Sequence, residues 1–139
     1  MVATGLQRIR HAVRSTTLRD WPLLEWHRVF HSRDLEETRA FLGTMAFRFD
    51  VKARDAVQLD ACVSGIYLPD IYIGCARYGA PVALAVSPAR NDYWLHLPLQ
   101  GVWQATVGRG SFVCRAGDAI VSSPTREVIL RSDAGAARS

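Results

Sequence analysis

Tyr93-Trp94-Leu95-His96-Leu97-Pro98-Leu99-Gln100-Gly101-Val102-Trp103 alternates with the period of an extended chain, in which successive side chains point to opposite faces. Tyr93, Leu95, Leu97 and Leu99 then share one face, and Trp94, His96, Pro98 and Gln100 the other. The uniformly apolar set is expected to face the interior. Trp103 continues that set provided Gly101 does not shift the register. Pro98 has no N–H to give to a strand ladder, which assigns it to an edge or a bulge.

The period of two holds from Val57 onward, and turn signals recur along it. Strands are expected at 57–67, 71–78, 82–86, 93–107 with a bend at Gly101, 111–114, 118–122 and 127–131. Between them stand Pro69-Asp70, Gly79-Ala80-Pro81, Gly108-Arg109-Gly110, Ala116-Gly117-Asp118 and Ser123-Pro124-Thr125, all residues with turn chemistry. Short strands at this spacing predict an antiparallel sandwich or barrel.

Toward the amino terminus the period changes to that of a helix. Leu6, Ile9 and Val13 fall on one face of a short helix that Ser15-Thr16-Thr17 would end, and Trp21-Pro22 marks a break. A firmer helix is expected over 34–49. Asp34 with Glu37 three residues later forms a capping box, and Leu35, Thr38, Leu42, Met45 and Phe49 form one face. This helix is expected to cover one end or edge of a sheet.

The 139 residues, 49% hydrophobic and 22% charged, suit one domain with a packed core. Such a chain buries about two thirds of its unfolded surface, so it requires neither disulfide nor metal. Cys62, Cys75 and Cys114 are odd in number and contain no C-x-x-C pair, which argues against a disulfide framework and a zinc site. Each reads as a small buried strand residue. Arginines interrupt the first ten residues before any signal-peptide core can form. No apolar run approaches the ~20 residues of a membrane helix, so no membrane association is expected and the expected compartment is the cytoplasm. The net charge of +4 lies wholly in residues 1–33, where six arginines face Asp20 and Glu25. This leader lacks the density and aromatic interleaving of a nucleic-acid arm and reads as a solvated terminus.

Chemistry is sparse. His11, His27, His31 and His96 include no two at ligand spacing on one strand, so no metal and no cofactor are expected. Ser64, Ser122 and Ser123 lack the strained elbow and positioned histidine of a nucleophile. Asp118 follows a turn glycine, where a carboxylate accepts backbone N–H groups. His96, with Trp94 and Gln100, makes a polar aromatic face that could hold a sugar or an aromatic acid, but the opposite, apolar face is the one expected inside.

The run Gly101-Val102-Trp103, then Val107-Gly108-Arg109-Gly110-Ser111-Phe112-Val113-Cys114-Arg115-Ala116-Gly117-Asp118-Ala119-Ile120-Val121 and Pro124, resembles the cupin-like sensor (AraC-binding-like) domain of AraC-type transcription regulators. In that family a strand ending in Gly leads to a hairpin and then to a Phe-Val-x-x-Pro-Gly-Asp turn. Ala116 stands here in place of the turn proline. Val29-Phe30-His31-Ser32-Arg33-Asp34-Leu35-Glu36-Glu37-Thr38-Arg39 and Arg77-Tyr78-Gly79 extend the likeness, which runs from about residue 28 to 131.

The resemblance implies a mainly β fold, a cupin-like double-stranded β-barrel or jelly roll, complete or cut short, with one or two N-terminal helices. Its expected parts are a basic arm at 1–27, an effector-binding domain at 28–131 and a disordered tail at 132–139. It implies a small-molecule effector, and either a homodimer or association with a full-length regulator. The family's two helix-turn-helix units lie further along the chain, so no direct DNA contact is expected from these residues. The expected pocket residues are Tyr93, Leu95, Leu97 and Trp103; His96 stands with them as a candidate, because inversion at Gly101 would turn its face inward. The function expected is that of a sensor domain and not of an enzyme. The alternatives are a metal-independent cupin-like enzyme and an interaction fragment that pairs with a full-length regulator.

Overall fold

Turn residues and strand alternation divide the chain as the sequence suggests in the computed structural model, which describes residues 7–10, 24–45, 48–53, 55–87, 92–123 and 125–133. The strands are β1 (Gln7–Arg10), β2 (Arg28–Ser32), β3 (Arg48–Ala53), β4 (Ala61–Tyr67), β5 (Tyr72–Arg77) and β6 (Val82–Ser87). They continue with β7 (Trp94–His96), β8 (Val102–Val107), β9 (Gly110–Arg115), β10 (Asp118–Ser122) and β11 (Val128–Ser132). The one α-helix among the described residues, α1 (Leu35–Thr44), lies between β2 and β3. The strands form three antiparallel sheets in the orders β1-β10-β7, β3-β6-β11-β8-β9 and β2-β4-β5. The architecture is mainly β and consistent with the expected cupin-like sandwich, with sheets that stay open instead of closing into a barrel.

In the five-stranded sheet Val51 pairs with Leu84, Leu84 with Leu130, and Leu130 with Ala105, so one row of side chains crosses four strands. All four are buried. Each of the three larger side chains, Val51, Leu84 and Leu130, contributes about 1.5–3 kcal/mol when withdrawn from water in this way, which makes this row a main anchor of the sheet. The same core takes in Ile120 of β10, Ala61 and Val63 of β4, and Leu42 of α1. All three sheets and the helix therefore share one apolar interior.

Helix α1 starts as the capping pattern predicts, with one added member. The Glu37 N–H donates to Asp34 Oδ1 at 2.8 Å, the Asp34 N–H donates to Ser32 Oγ at 3.0 Å, and Ser32 Oγ donates to Glu37 Oε2 at 2.6 Å. The serine relays the second half of the capping box. Thr38 and Leu42 turn inward, and Phe41 stacks on Phe30 of β2 with centroids 4.3 Å apart. The helix stops at Thr44, short of the expected residue 49, because Phe49 pairs with Val86 in the ladder between β3 and β6. Arg39 ties the helix to β3 by donating to Asp50 Oδ1 at 3.1 Å.

Two further expectations are corrected. The short helix expected around Leu6 to Val13 is replaced, over Gln7–Arg10, by a strand whose Arg8 pairs with Ile120. So short a helix is marginal alone, whereas the edge of β10 offers a row of backbone partners. The strand expected over 93–107 is two strands in different sheets, β7 and β8, separated at Leu97 to Gly101. Gly101 has φ +69°, a left-handed conformation that glycine adopts without the clash a Cβ would bring.

The expected arm falls outside the described residues at 1–6 and 11–23, as does the expected tail at 134–139. Asp133 donates its N–H to Val102 O at 3.0 Å and accepts the Val102 N–H at Oδ1 at 3.2 Å. No helix among the described residues is long and apolar enough to cross a membrane.

Candidate functional site

Strand β7 is three residues long and, among the described strands, is the outer one of its sheet, next to β10. Its register pairs His96 with Ile120 and Trp94 with Ser122. Opposite residues of an antiparallel pair share a face, and Ile120 and Ser122 are buried, so Trp94 and His96 point into the sandwich. From the facing sheet Trp103 of β8 points in as well, beside its cross-strand partner Cys114. The His96 ring lies 5.2 Å from the Trp94 ring and 5.1 Å from the Trp103 ring, the second contact edge-on at 70°. An imidazole is thus held between two indoles where two sheets meet.

This arrangement corrects the expected inner wall. Tyr93 is 73% exposed, Leu95 53%, Leu97 55% and Leu99 44%, whereas Trp103 is 7% exposed. Even-numbered residues face inward in β7 and odd-numbered ones in β8, so the connection from Leu97 to Gly101 inverts the parity. The reason lies in the separation of the two strands. Once they belong to different sheets, alternation no longer carries across from one to the other. Of the five residues expected to line a pocket, the structure brings together His96 and Trp103. It leaves Tyr93, Leu95 and Leu97 on the outside. Trp94, which the alternation places with His96 on the outer face, also points inward; Trp94, His96 and Pro98 carry more ring area than the leucines, and that is the signal the sequence offers. Gln100, its fourth member, is exposed.

The electrostatics of the cluster follow from its burial. His96 Nε2 is shut off from solvent and has no hydrogen-bond partner among the described residues. Loss of hydration penalises the charged imidazole and pushes its pKa down to about 4. Ser122 Oγ donates, at 3.5 Å, to the Trp94 carbonyl. The buried polar side chains among the described residues are Ser32, Thr38, Ser64 and Ser122, so that no charged group is buried with His96.

A second polar cluster lies at the surface. His31 Nε2 stands 2.7 Å from Asp60 Oδ1, with Arg33 at 3.5 Å and Arg77 at 3.8 Å from the same carboxylate. The His31 hydrogen bond, aided by the charges of His31 and Arg33, holds the Asp60 carboxyl below its ordinary range. Among the described residues no group of three or more His, Cys, Asp or Glu could hold a metal ion. Asp118 accepts the Arg115 N–H at 3.1 Å, the turn role expected of it, and Gly117 between them has φ +93°.

The family model for the AraC-binding-like domain matches residues 38–138, a span that contains β3 to β11 and the whole aromatic cluster. Comparison with curated proteins found no match, and comparison with solved structures found none either.

Proposed function

The chain belongs to the AraC-binding-like family, and on that premise we propose that it is the regulatory sensor domain of an AraC-type regulator whose small-molecule effector is received at Trp94, His96 and Trp103. The observation that carries this reading is the orphaned Nε2 of His96. A buried polar atom without a partner destabilises a fold by about 1–3 kcal/mol. A ligand that supplies the missing hydrogen bond removes that penalty and so favours the bound state.

The unit taken as the sensor is residues 28–131, with the cytoplasm as its compartment. The position of the cluster supports a route from ligand to output. His96 and Trp103 come from different sheets, so a molecule that binds His96 and disturbs its contact with Trp103 would bias how the two sheets sit against each other. An effector acts by shifting an equilibrium between two such arrangements, in proportion to its different affinity for each. Tryptophan fluorescence during titration with candidate effectors tests the reading, since Trp94 and Trp103 report directly. A flat response across a broad panel, from a sample shown to be folded, would count against it.

One observation favours a second reading, an interaction module. Strand β9 is an outer strand of the five-stranded sheet and carries the exposed Phe112 and Val113, while β7 is the outer described strand of its own sheet, with Leu95 exposed. Such edges suit pairing with another chain. Sedimentation at rising concentration tests this reading, which predicts association; a monomer at every concentration would count against it.

A further inference from the structure

The inner faces of β7, β8 and β10 leave one polar atom of the aromatic cluster unanswered. By register the neighbours are Ile120 beside His96, Ser122 beside Trp94 and Cys114 beside Trp103. Ser122 Oγ has the Trp94 carbonyl. His96 Nε2 alone in this group is without a partner among the described residues, and the ring is flanked by two indoles.

We infer that the effector of this site is an uncharged, flat aromatic molecule carrying a single hydroxyl, of which phenol is the smallest example. The inference rests on the sensor reading above and narrows it to one ligand chemistry. A carboxylate or an ammonium group would enter an interior in which none of the buried side chains among the described residues carries an opposite charge. His96 gives none either, since burial keeps it neutral at neutral pH. A sugar fails for another reason. Its several hydroxyls would compete for one free nitrogen, and those left over would lose their hydration without compensation.

Aromatic rings favour offset-stacked or edge-on neighbours, and a planar ring that reaches His96 would join the Trp94–His96–Trp103 cluster in one of these ways. One hydroxyl suits Nε2 in either tautomer, because it can donate to the bare nitrogen or accept from the protonated one.

The test uses the whole chain at neutral pH and four probes: phenol, benzene, benzoate and glucose. Tryptophan fluorescence and the thermal midpoint are read together. Phenol is expected to change both, benzene to bind about fivefold more weakly for want of the hydrogen bond, and benzoate and glucose to change neither. In His96→Phe the preference for phenol over benzene should vanish. The comparison of phenol with benzene on the wild-type chain decides the matter even where that variant fails to fold. Equal affinity for phenol and benzene, or tighter binding of benzoate or glucose, overturns the inferred chemistry and leaves the sensor reading standing. Silence from all four overturns the inferred chemistry, and only silence from the broad panel as well counts against the sensor reading.

Discussion

His96 stands edge-on to Trp103, with ring centroids 5.1 Å apart and planes at 70°, although His96 belongs to the β1-β10-β7 sheet and Trp103 to the five-stranded one. The contact is therefore a bridge between sheets, and residues near it in sequence take opposite environments. Leu95 and Leu97, on either side of His96, are more than half exposed. Four consequences can be measured.

The first concerns pH. Burial holds the folded pKa of His96 near 4, against an ordinary value of 6.5. Between these values the unfolded chain binds a proton that the folded chain refuses. The contribution of His96 to stability is thus complete above about pH 6.5, declines as pH falls, and levels off near pH 4, a total loss of about 3 kcal/mol. Urea unfolding of the wild type and His96→Phe should show this decline in the wild type alone. At neutral pH the variant should be no less stable, since it removes an unsatisfied nitrogen. Parallel curves for the two proteins would reject the assignment.

The second concerns the two faces around β7. Trp103→Ala should lose about 3–5 kcal/mol, the range for deleting a buried aromatic side chain. Leu95→Ser and Leu97→Ser, at exposed positions, should stay within about 0.5 kcal/mol of the wild type. Chemical denaturation of the three variants measures this, and similar losses on both faces would contradict the inverted parity.

A third test lies in the hairpin of β4 and β5. Gly65 and Gly74 are cross-strand partners, and the Tyr72 ring lies across both. A Cβ at Gly65 would collide with the Tyr72 hydroxyl. Gly65→Ala should lose about 1–3 kcal/mol by forcing that ring aside. In a Tyr72→Ala background the same substitution should be much milder. Additive losses in the double variant would show that the two residues do not couple.

The start of α1 supplies the fourth. Ser32 accepts from the Asp34 N–H and donates to Glu37, while Asp34 accepts from the Glu37 N–H. Ser32→Ala and Asp34→Ala should each reduce stability by about 1 kcal/mol, and the pair by less than the sum because they serve one network. Thermal unfolding with circular dichroism provides the readout.

Reading the residues one after another was enough for the strands on either side of the 93–107 stretch, the helix beginning at Asp34 and the turn at Gly117, but not for the division of 93–107 into two strands of different sheets. These follow from local physics: side-chain period, capping, and the backbone freedom of glycine. The family was legible too, because its motif lies in the order of turn and strand residues. What needed the folded molecule was which face of β7 is interior. Alternation states that Tyr93 and Leu95 lie opposite Trp94 and His96, but both sets are apolar or aromatic enough to be buried. The choice belongs to residues far away in sequence, Ile120 and Ser122, whose register carries His96 and Trp94 inward. The strand at Gln7–Arg10 has the same cause, since its partner β10 lies more than a hundred residues further along the chain. Hydrogen bonds across such distances leave no trace in local periodicity, and they decided which face of β7 forms the inner wall.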